Sequence, residues 1–470
     1  MSLASWGRAH SDRLCMKPSI KERNERSVEF REYLARLEAG GQLVKIQKEV
    51  QLDYELAAVI NTMLEQNQAI GLFENVKHPS GIPVVGGLLG SIDRIATALE
   101  VEPPGIGHKL EGALANLLKP QVVEEAPFKE NVITGEAINL REQLPIPWHN
   151  AGDGGPYVTG GVMIARGVEA GRHNYSYNRL HVHGPREFGI MMNSWRHIAW
   201  FYNEAEQAGR PLPAAVAIGV DPAVEIAAGF RIEDDEAELA GAINGHPLAI
   251  TRCITNDLYV PAGAEIVIEG QIPPFIRKDE GPLAEFTGHF GEVYQHPVFQ
   301  VSAIGYRNKP IYRTIVPASF EHIYIGNVLP REIMLLNLTR HVSLNVRAVH
   351  LTPYSGGFMA VVAVDKKNEG EPKNIAFAAL ATHVNIKLVV VVDTDVDIYQ
   401  ASDILWAMST RVDANKDVFI VPYAQGMEND PTTSAEGTNT KMAIDATLSL
   451  ALKQDYKRVT YPKVDLSRWI

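Results

Sequence analysis

Two short apolar runs in the last third of the chain, FMAVVAVD at 358–365 and IKLVVVVD at 386–393, constrain the fold more than any other feature. Neither run alternates apolar with polar residues, so each is expected to be a strand with both faces covered. NIAFAALATH between them and ASDILWAMSTR after them have helical spacing. This β-α-β-α order predicts a parallel sheet with helices on both faces, an α/β arrangement. Asp393, Asp395 and Asp397 follow the second run. The carboxyl end of such a strand is a common ligand site, but cap and turn roles account better for three aspartates placed this way.

The first part of the chain also mixes periods. SVEFREYLARLEAGG predicts a helix with Phe30, Leu34 and Leu37 on one face and Gly40-Gly41 as its stop. LVKIQKEV, DYELAAVINTMLEQN, GLFENV and IPVVGGLLG then read as strand, helix, strand and strand, giving an α/β domain over 27–125. From 126 to 320 the texture changes to short segments broken by Gly and Pro, among them YVTGGVMIAR, NRLHVHG, AVAIGV, AEIVIEG and VFQVSAIGYR. These predict a mostly antiparallel sheet or barrel, interrupted by one helix over about 195–208. Residues 321–470 carry the βαβ pattern, and residues 1–26 lack apolar periodicity and read as an arm without assigned function.

Composition excludes several classes of function. With 56 acidic against 44 basic residues the net charge is −12, and no Lys/Arg cluster offers a footprint for nucleic acid. The longest strongly apolar run, Leu388 to Val392, falls far short of the ~20 residues that cross a bilayer, and no apolar signal core opens the chain. The expectation is a soluble cytoplasmic protein with no membrane or nucleic-acid partner. Cys15 and Cys253 are the only cysteines, so neither a disulfide framework nor a C-x-x-C metal or redox site is available.

The residues able to carry chemistry lie mostly in the central segment. EGPLAEFTGHFGE places Glu280 and Glu285 five apart around Gly-Pro. Two carboxylates held together in a buried site have their pKa values pushed apart, giving one charged group and one proton donor. Taken alone, a pair of solvated surface glutamates explains them better. HNYSYNRLHVHGPREFG combines Asn174 and Arg179 with His181 and His183, which share a strand face as a candidate metal pair. Asn174 and Arg179 make the stronger pair, because a guanidinium is a fixed fork for carboxylate or phosphate and an amide oxygen is a hard metal ligand. His197 in SWRHIAW and Glu236 in IEDDEAELAG are each weak alone.

Read as a set, these residues resemble the UbiD decarboxylase family. Asn174 stands five before Arg179, His197 eighteen beyond it, Glu236 lies within EAELAG, and Glu280-Gly281-Pro282 precedes Glu285. RLHVHGPREFG, LYVPAGAEIVIEG, EFTGHF, VDTDVDIYQASDILWAMSTR and TNTKMAIDAT extend the resemblance over about 130–447. It implies an N-terminal α/β domain, a central split β-barrel that binds flavin, and a C-terminal α/β domain through which a homodimer or homohexamer forms. It implies prenylated FMN as cofactor, made by a partner flavin prenyltransferase, with Mn2+ or Mg2+ on Asn174, His197 and Glu236 and K+ close by. Asn174, Tyr175, Ser176, Tyr177, Asn178 and Arg179, with Arg196, His197 and Glu236, correspond to the cofactor-contacting positions, and Arg179, Glu280 and Glu285 to the catalytic set. The implied reaction is non-oxidative, reversible decarboxylation of a small aromatic or heteroaromatic acid of furan, pyrrole, indole or hydroxybenzoate type.

The resemblance thins at two places. Leu380 or Ala381 stands where some members carry a basic residue, so no lysine is assigned to the cofactor phosphate. In ASFEHIYIGNVLPRE, His322 and Arg331 are either a pair that binds a second carboxylate or ring heteroatom, or a helix-start histidine and an exposed arginine; Phe286 and His383 are further candidate pocket walls. Two other readings stay open: a metal-dependent hydrolase built on His181 and His183, and a flavin-binding oxidoreductase. The chain has no Gly-x-Gly-x-x-Gly dinucleotide fingerprint, which counts against the latter.

Overall fold

The computed structural model describes residues 29–469 apart from 168–170, 195, 428, 454, 460, 463 and 465–468. The arm at 1–26 and Cys15 lie outside the described residues; Cys253 is buried and unpaired. The expected helices form at Phe30–Ala39, Glu55–Glu65, Glu371–Thr382 and Ala401–Arg411. The first buries Phe30, Tyr33, Leu34 and Leu37, the face that its spacing marks.

The N-terminal sheet runs Leu43–Ile46, Ile70–Phe73, Val84–Gly86, Tyr312–Thr314. Its last strand comes from far along the chain and pairs parallel with Val84–Gly86. Gln121–Val122 pairs with Ala249–Arg252 of the central segment. Both pairings cross the expected division near 125, because a strand's place is set by its partner rather than by its position in the sequence.

The central sheet is antiparallel throughout. Its order is His173–Tyr177, Gly161–Arg166, Leu212–Ile218, Ile266–Ile272, Tyr294–Tyr306, Glu187–Ile190, Leu180–Gly184, Tyr157–Val158. Two very short links fix its shape. Asn178-Arg179 joins the strand at one edge to the strand next to the other edge, and Thr159-Gly160 does the same in the opposite sense. Two residues reach only about 7 Å, so the sheet must roll until its edges nearly meet, which makes a split barrel. Thr159, Asn178 and Arg179 are thereby held at the seam. A Cβ on Gly160 would come within 2.7 Å of the Arg313 carbonyl oxygen, so the link passes there only as glycine.

The C-terminal sheet runs Val346–Leu351, Met359–Val364, Leu388–Asp393, Thr438–Ala446, Val418–Gln425. The two apolar runs are its adjacent central strands and pair in parallel. The outer strands are antiparallel to their neighbours, so the sheet is mixed rather than parallel. Val362, Val364, Val389 and Val391 face the main core with Ile375 and Ala379 of the Glu371–Thr382 helix. Val361, Ala363, Val390 and Val392 face Ile404 and Ala407 of the Ala401–Arg411 helix. The aspartates after the second run are structural, as expected: Asp393 and Asp395 pair with Arg411, and Asp397 accepts a hydrogen bond from the Tyr399 N–H.

Candidate active site

Arg179 leaves the seam between two strands and meets both glutamates of the EGPLAE segment. Its Nε and Nη2 donate to the two carboxylate oxygens of Glu280 at 2.9 and 2.7 Å, and its Nη1 donates to Glu285. Glu280 ends the strand Arg277–Glu280 and is 0 % exposed, and Glu285 is also buried, which overturns the reading of both as solvated surface residues. Burial raises the pKa of Glu285 and the negative charge of Glu280 raises it further, against the pull of Arg179. The bidentate grip commits the arginine to Glu280, so the two carboxyls differ in kind: one is held by two nitrogens, the other by one and with its pKa raised.

This cluster opens into a pocket of about 130 Å3 lined by Thr159, Asn178, Arg179, Glu285, Phe286 and Met191 on the barrel side. His322, Ile325, Asn327 and Arg331 close it from the C-terminal side. Arg331, in the first turn of the helix Leu329–Val342, is 6 % exposed, contrary to the reading of an exposed arginine. Its Nη1 donates to Asn327 Oδ1 at 2.5 Å, and it forms no ion pair with any described carboxylate. Burial and the nearby Arg196 push its pKa down to about 9; a guanidinium does not give up its proton in a protein, so the strain expresses itself as demand for an anion. The backbone N–H of Ala318 donates to His322 Nδ1 at 3.0 Å. That bond places the ring proton on Nε2 and makes the imidazole a donor. Burial, Arg179 and Arg196 lower the His322 pKa to about 4, so the ring is neutral near pH 7.

A second, wider pocket of about 490 Å3 adjoins the first, and Asn193, Arg196, Gly326, Arg331 and Met427 line both. Asn174, Ser176, His197, Arg231 and His383 line the second alone. Strand alternation puts Asn174, Ser176 and Asn178 on one face, and they are linked in a row. Ser176 Oγ donates to Asn174 Oδ1 at 3.1 Å and Asn178 Nδ2 donates to Ser176 Oγ at 2.9 Å. Tyr175 points the opposite way, its hydroxyl donating to the Tyr259 carbonyl at 3.1 Å, so its side chain lines neither pocket; Tyr177 lines the first. His197 and Glu236 are each the first residue of a helix, His197–Gln207 and Glu236–Asn244. Glu236 accepts from Asn174 Nδ2 at 3.2 Å and from the Tyr175 N–H at 2.9 Å.

Asn174 touches Glu236 and lines the wider pocket with His197, and donors of these types suit a hard divalent cation. Glu236 is buried, pairs with no cationic side chain among the described residues, and burial pushes its pKa up to about 8. A carboxylate, an amide oxygen and an imidazole that is neutral, its pKa lowered to about 4 by burial and by Arg172 and Arg231, are ligands such an ion accepts.

The other histidine pair sits elsewhere. His181 stacks on Tyr157 with ring centroids 4.4 Å apart and meets His183 edge-on at 4.7 Å. A Cβ on Gly189 would lie 2.5 Å from the His183 ring and 3.3 Å from Glu280 Cγ, so the pair backs onto Glu280, whose oxygens Arg179 already holds. Among the described residues no three His, Cys, Asp or Glu side chains are grouped to hold a metal, at this pair or elsewhere.

Sequence reasoning missed Thr159, Met191, Asn193, Ile315, Asn327 and Asn429 as pocket residues. Asn327 had a signal in its i, i+4 spacing to Arg331; Thr159 had none, since its place at the seam is a property of strand order. Among the described residues no helix is long and apolar enough to cross a membrane.

Comparison with known proteins agrees with this geometry. Models of the 3-octaprenyl-4-hydroxybenzoate carboxy-lyase N-terminal, Rift-related and C-terminal domains match residues 34–114, 121–320 and 324–446. The chain is 34% identical over 426 residues to the anhydromevalonate phosphate decarboxylase of Methanothermobacter thermautotrophicus, covering 90% of this chain and 97% of that one. It is 32% identical over 449 residues to the phenolic acid decarboxylase of Bacillus subtilis, covering 90% and 93%. Among solved structures, the UbiD-class enzyme HmfF of Pelotomaculum thermopropionicum in complex with FMN superposes with a TM-score of 0.90 at 42% identity, over 94% of this chain and 100% of that one. An evolved dimeric form of that enzyme in complex with prFMN gives 0.86 at 39%, over 94% and 100%. Three matched domains in order, around an Arg-Glu-Glu cluster at the seam of a split barrel, establish that the chain belongs to the UbiD family of carboxy-lyases.

Proposed function

We propose that this protein is a non-oxidative decarboxylase that uses prenylated FMN to remove CO2 from a small aromatic or heteroaromatic acid. The observation that carries the reading is the single arginine that grips Glu280 with two nitrogens and reaches Glu285 with the third, in the wall of the narrower of two adjoining pockets. The wider pocket, with Arg196, Arg231, Asn174 and Ser176, suits an anionic flavin nucleotide. Asn174, His197 and Glu236 would hold Mn2+ or Mg2+ and so tie the cofactor phosphate to the barrel. Bound prenylated FMN supplies an electron sink for the carbon that loses CO2.

The protein's share is orientation and one proton. Arg179 aligns the substrate carboxylate while Glu280 keeps the guanidinium in plane. Glu285, whose pKa is raised by its burial, gives its proton to the ring carbon as the carboxylate departs, so that R–COO− and H+ become R–H and CO2. Its proton then returns from solvent. The relatives act on chemically different acids, so substrate class is read from the pocket. Met191, Leu283, Phe286 and Ile315 form apolar walls for a ring, and Arg331 with the His322 Nε2 donor supplies a distant pole for a second carboxylate or a ring heteroatom. Homodimer or homohexamer formation through the C-terminal domain completes the proposal.

Holoenzyme made with a flavin prenyltransferase, screened against furan, pyrrole, indole and hydroxybenzoic acids, should release CO2 from at least one. Turnover by metal-stripped protein lacking flavin would contradict the reading.

A further inference from the structure

Behind the reaction pocket lies a third cavity, of about 540 Å3, lined by Asn61 and Leu64 from the N-terminal domain and by Ser319, Phe320, Ile323 and Tyr354. One stretch of chain forms the wall between the two spaces. Pro317, His322 and Ile325 face the reaction pocket, and Ala318, Phe320 and Ile323 face the outer cavity. Among the described residues Phe286 alone lines both.

Phe286 is fixed from several sides. It follows Glu285 in a tight turn, where the Glu285 N–H donates to the His289 carbonyl at 2.8 Å and the Gly288 N–H to the Glu285 carbonyl at 2.9 Å. Its ring stacks on Phe358 at 5.8 Å and lies perpendicular to His322 at 6.4 Å. Its carbonyl oxygen abuts Gly356, where an added Cβ would approach to 2.8 Å and where φ is +62°. The side chain is 5 % exposed. A ring held this firmly beside the proton donor does not swing aside for a ligand without breaking two aromatic contacts.

We propose that Phe286 is the partition that sets how long an acid the pocket accepts: its ring shuts the reaction pocket off from the outer cavity, and shortening it admits two-ring acids. The proposal rests on the decarboxylase reading and assigns its size selectivity to one side chain. An acid extended by a fused second ring meets the Phe286 wall, whereas a single ring fits between Arg179 and His322.

The test compares kcat/KM of flavin-loaded enzyme for naphthalene-2-carboxylate with that for furan-2-carboxylate. In Phe286→Ala the ratio should rise roughly tenfold or more, the scale on which an apolar pocket discriminates by size. Phe286→Leu should raise it less and keeps the test alive if the alanine variant does not fold. Tyr354→Ala, which alters only the exposed far wall, should leave the ratio as in the unsubstituted enzyme. Calorimetry adds a readout independent of turnover: the flavin-loaded Phe286→Ala protein should bind naphthalene-2-carboxylate measurably tighter than the unsubstituted one. An unchanged ratio and unchanged binding in both Phe286 variants with the flavin spectrum intact would overturn the partition, as would an equal rise in Tyr354→Ala. If unsubstituted holoenzyme decarboxylates no acid at all, the decarboxylase reading fails, and the calorimetric arm still decides the partition.

Discussion

Glu280 and Glu285 are the same residue type five positions apart, and their surroundings give them different work. Both oxygens of Glu280 are taken by Arg179, whereas Glu285 shares only one nitrogen of that arginine and is burdened by burial and by its neighbour's charge. Glu285→Gln keeps the shape and removes the exchangeable carboxyl proton, so CO2 release by flavin-loaded enzyme should fall by at least about 100-fold; a smaller loss would assign the proton to another group. The raised pKa also fixes the sign of the pH dependence. A donor that works protonated holds its proton above the usual carboxylate range, and activity should decline as pH rises through the Glu285 pKa. A kcat profile that instead climbs steadily toward alkaline pH would count against Glu285 as the acid. The spacing of these residues was legible in the sequence, but their burial was not, because burial comes from strands that pair across more than a hundred positions.

The helices were legible because apolar faces are local, and so were the antiparallel central sheet and the parallel pair of apolar runs; which distant strand completes a sheet was not, because alternation marks which face is buried and is blind to the partner. The Tyr312–Thr314 strand shows what that blindness hides. It brings Arg313 into the interior, fully buried, where Nη2 donates to Glu225 at 3.0 Å and to Glu321 at 2.7 Å. Glu321 in turn accepts the backbone N–H groups of Gly87 and Leu89 at 2.9 and 2.6 Å, so one ion cluster ties the N-terminal sheet to the segment that carries His322. Arg313→Leu strands two buried carboxylates and should cost about 3–5 kcal/mol of unfolding free energy in urea titration; a loss within about 0.5 kcal/mol, the scale of an ordinary surface substitution, would show that the cluster relaxes. The proposed cation site joins elements in the same way, one strand and two helix starts. Mn2+ at 100 times its dissociation constant should stabilise metal-free protein by about 2.7 kcal/mol. Differential scanning should show that as a higher Tm, absent in Glu236→Ala, and an equal rise in both proteins would place the ion elsewhere.

At the scale of the whole molecule, the order of three domains was readable from changes in texture, while the pocket that they share was not, since it arises where the barrel seam meets the C-terminal domain. That domain also presents an unpaired edge. Val418–Gln425 has the sheet on one side only, and Ile420 and Tyr423 on it are 63 % and 88 % exposed, with Phe377 exposed beside Phe419 at 4.9 Å. Pro422 lacks an N–H, the register shifts between Val421 and Ala424, and Tyr423 has a φ of +56°. A second copy cannot extend the sheet as a regular strand there, so any contact between copies at this edge would be made by side chains. If this edge joins subunits, Ile420→Lys with Tyr423→Glu places charges where apolar groups would pack and should reduce the assembly. Light scattering on the eluting peak should then report a mass nearer that of one 51.7 kDa chain. Retention of the unsubstituted mass by the double variant would show that this edge does not join subunits.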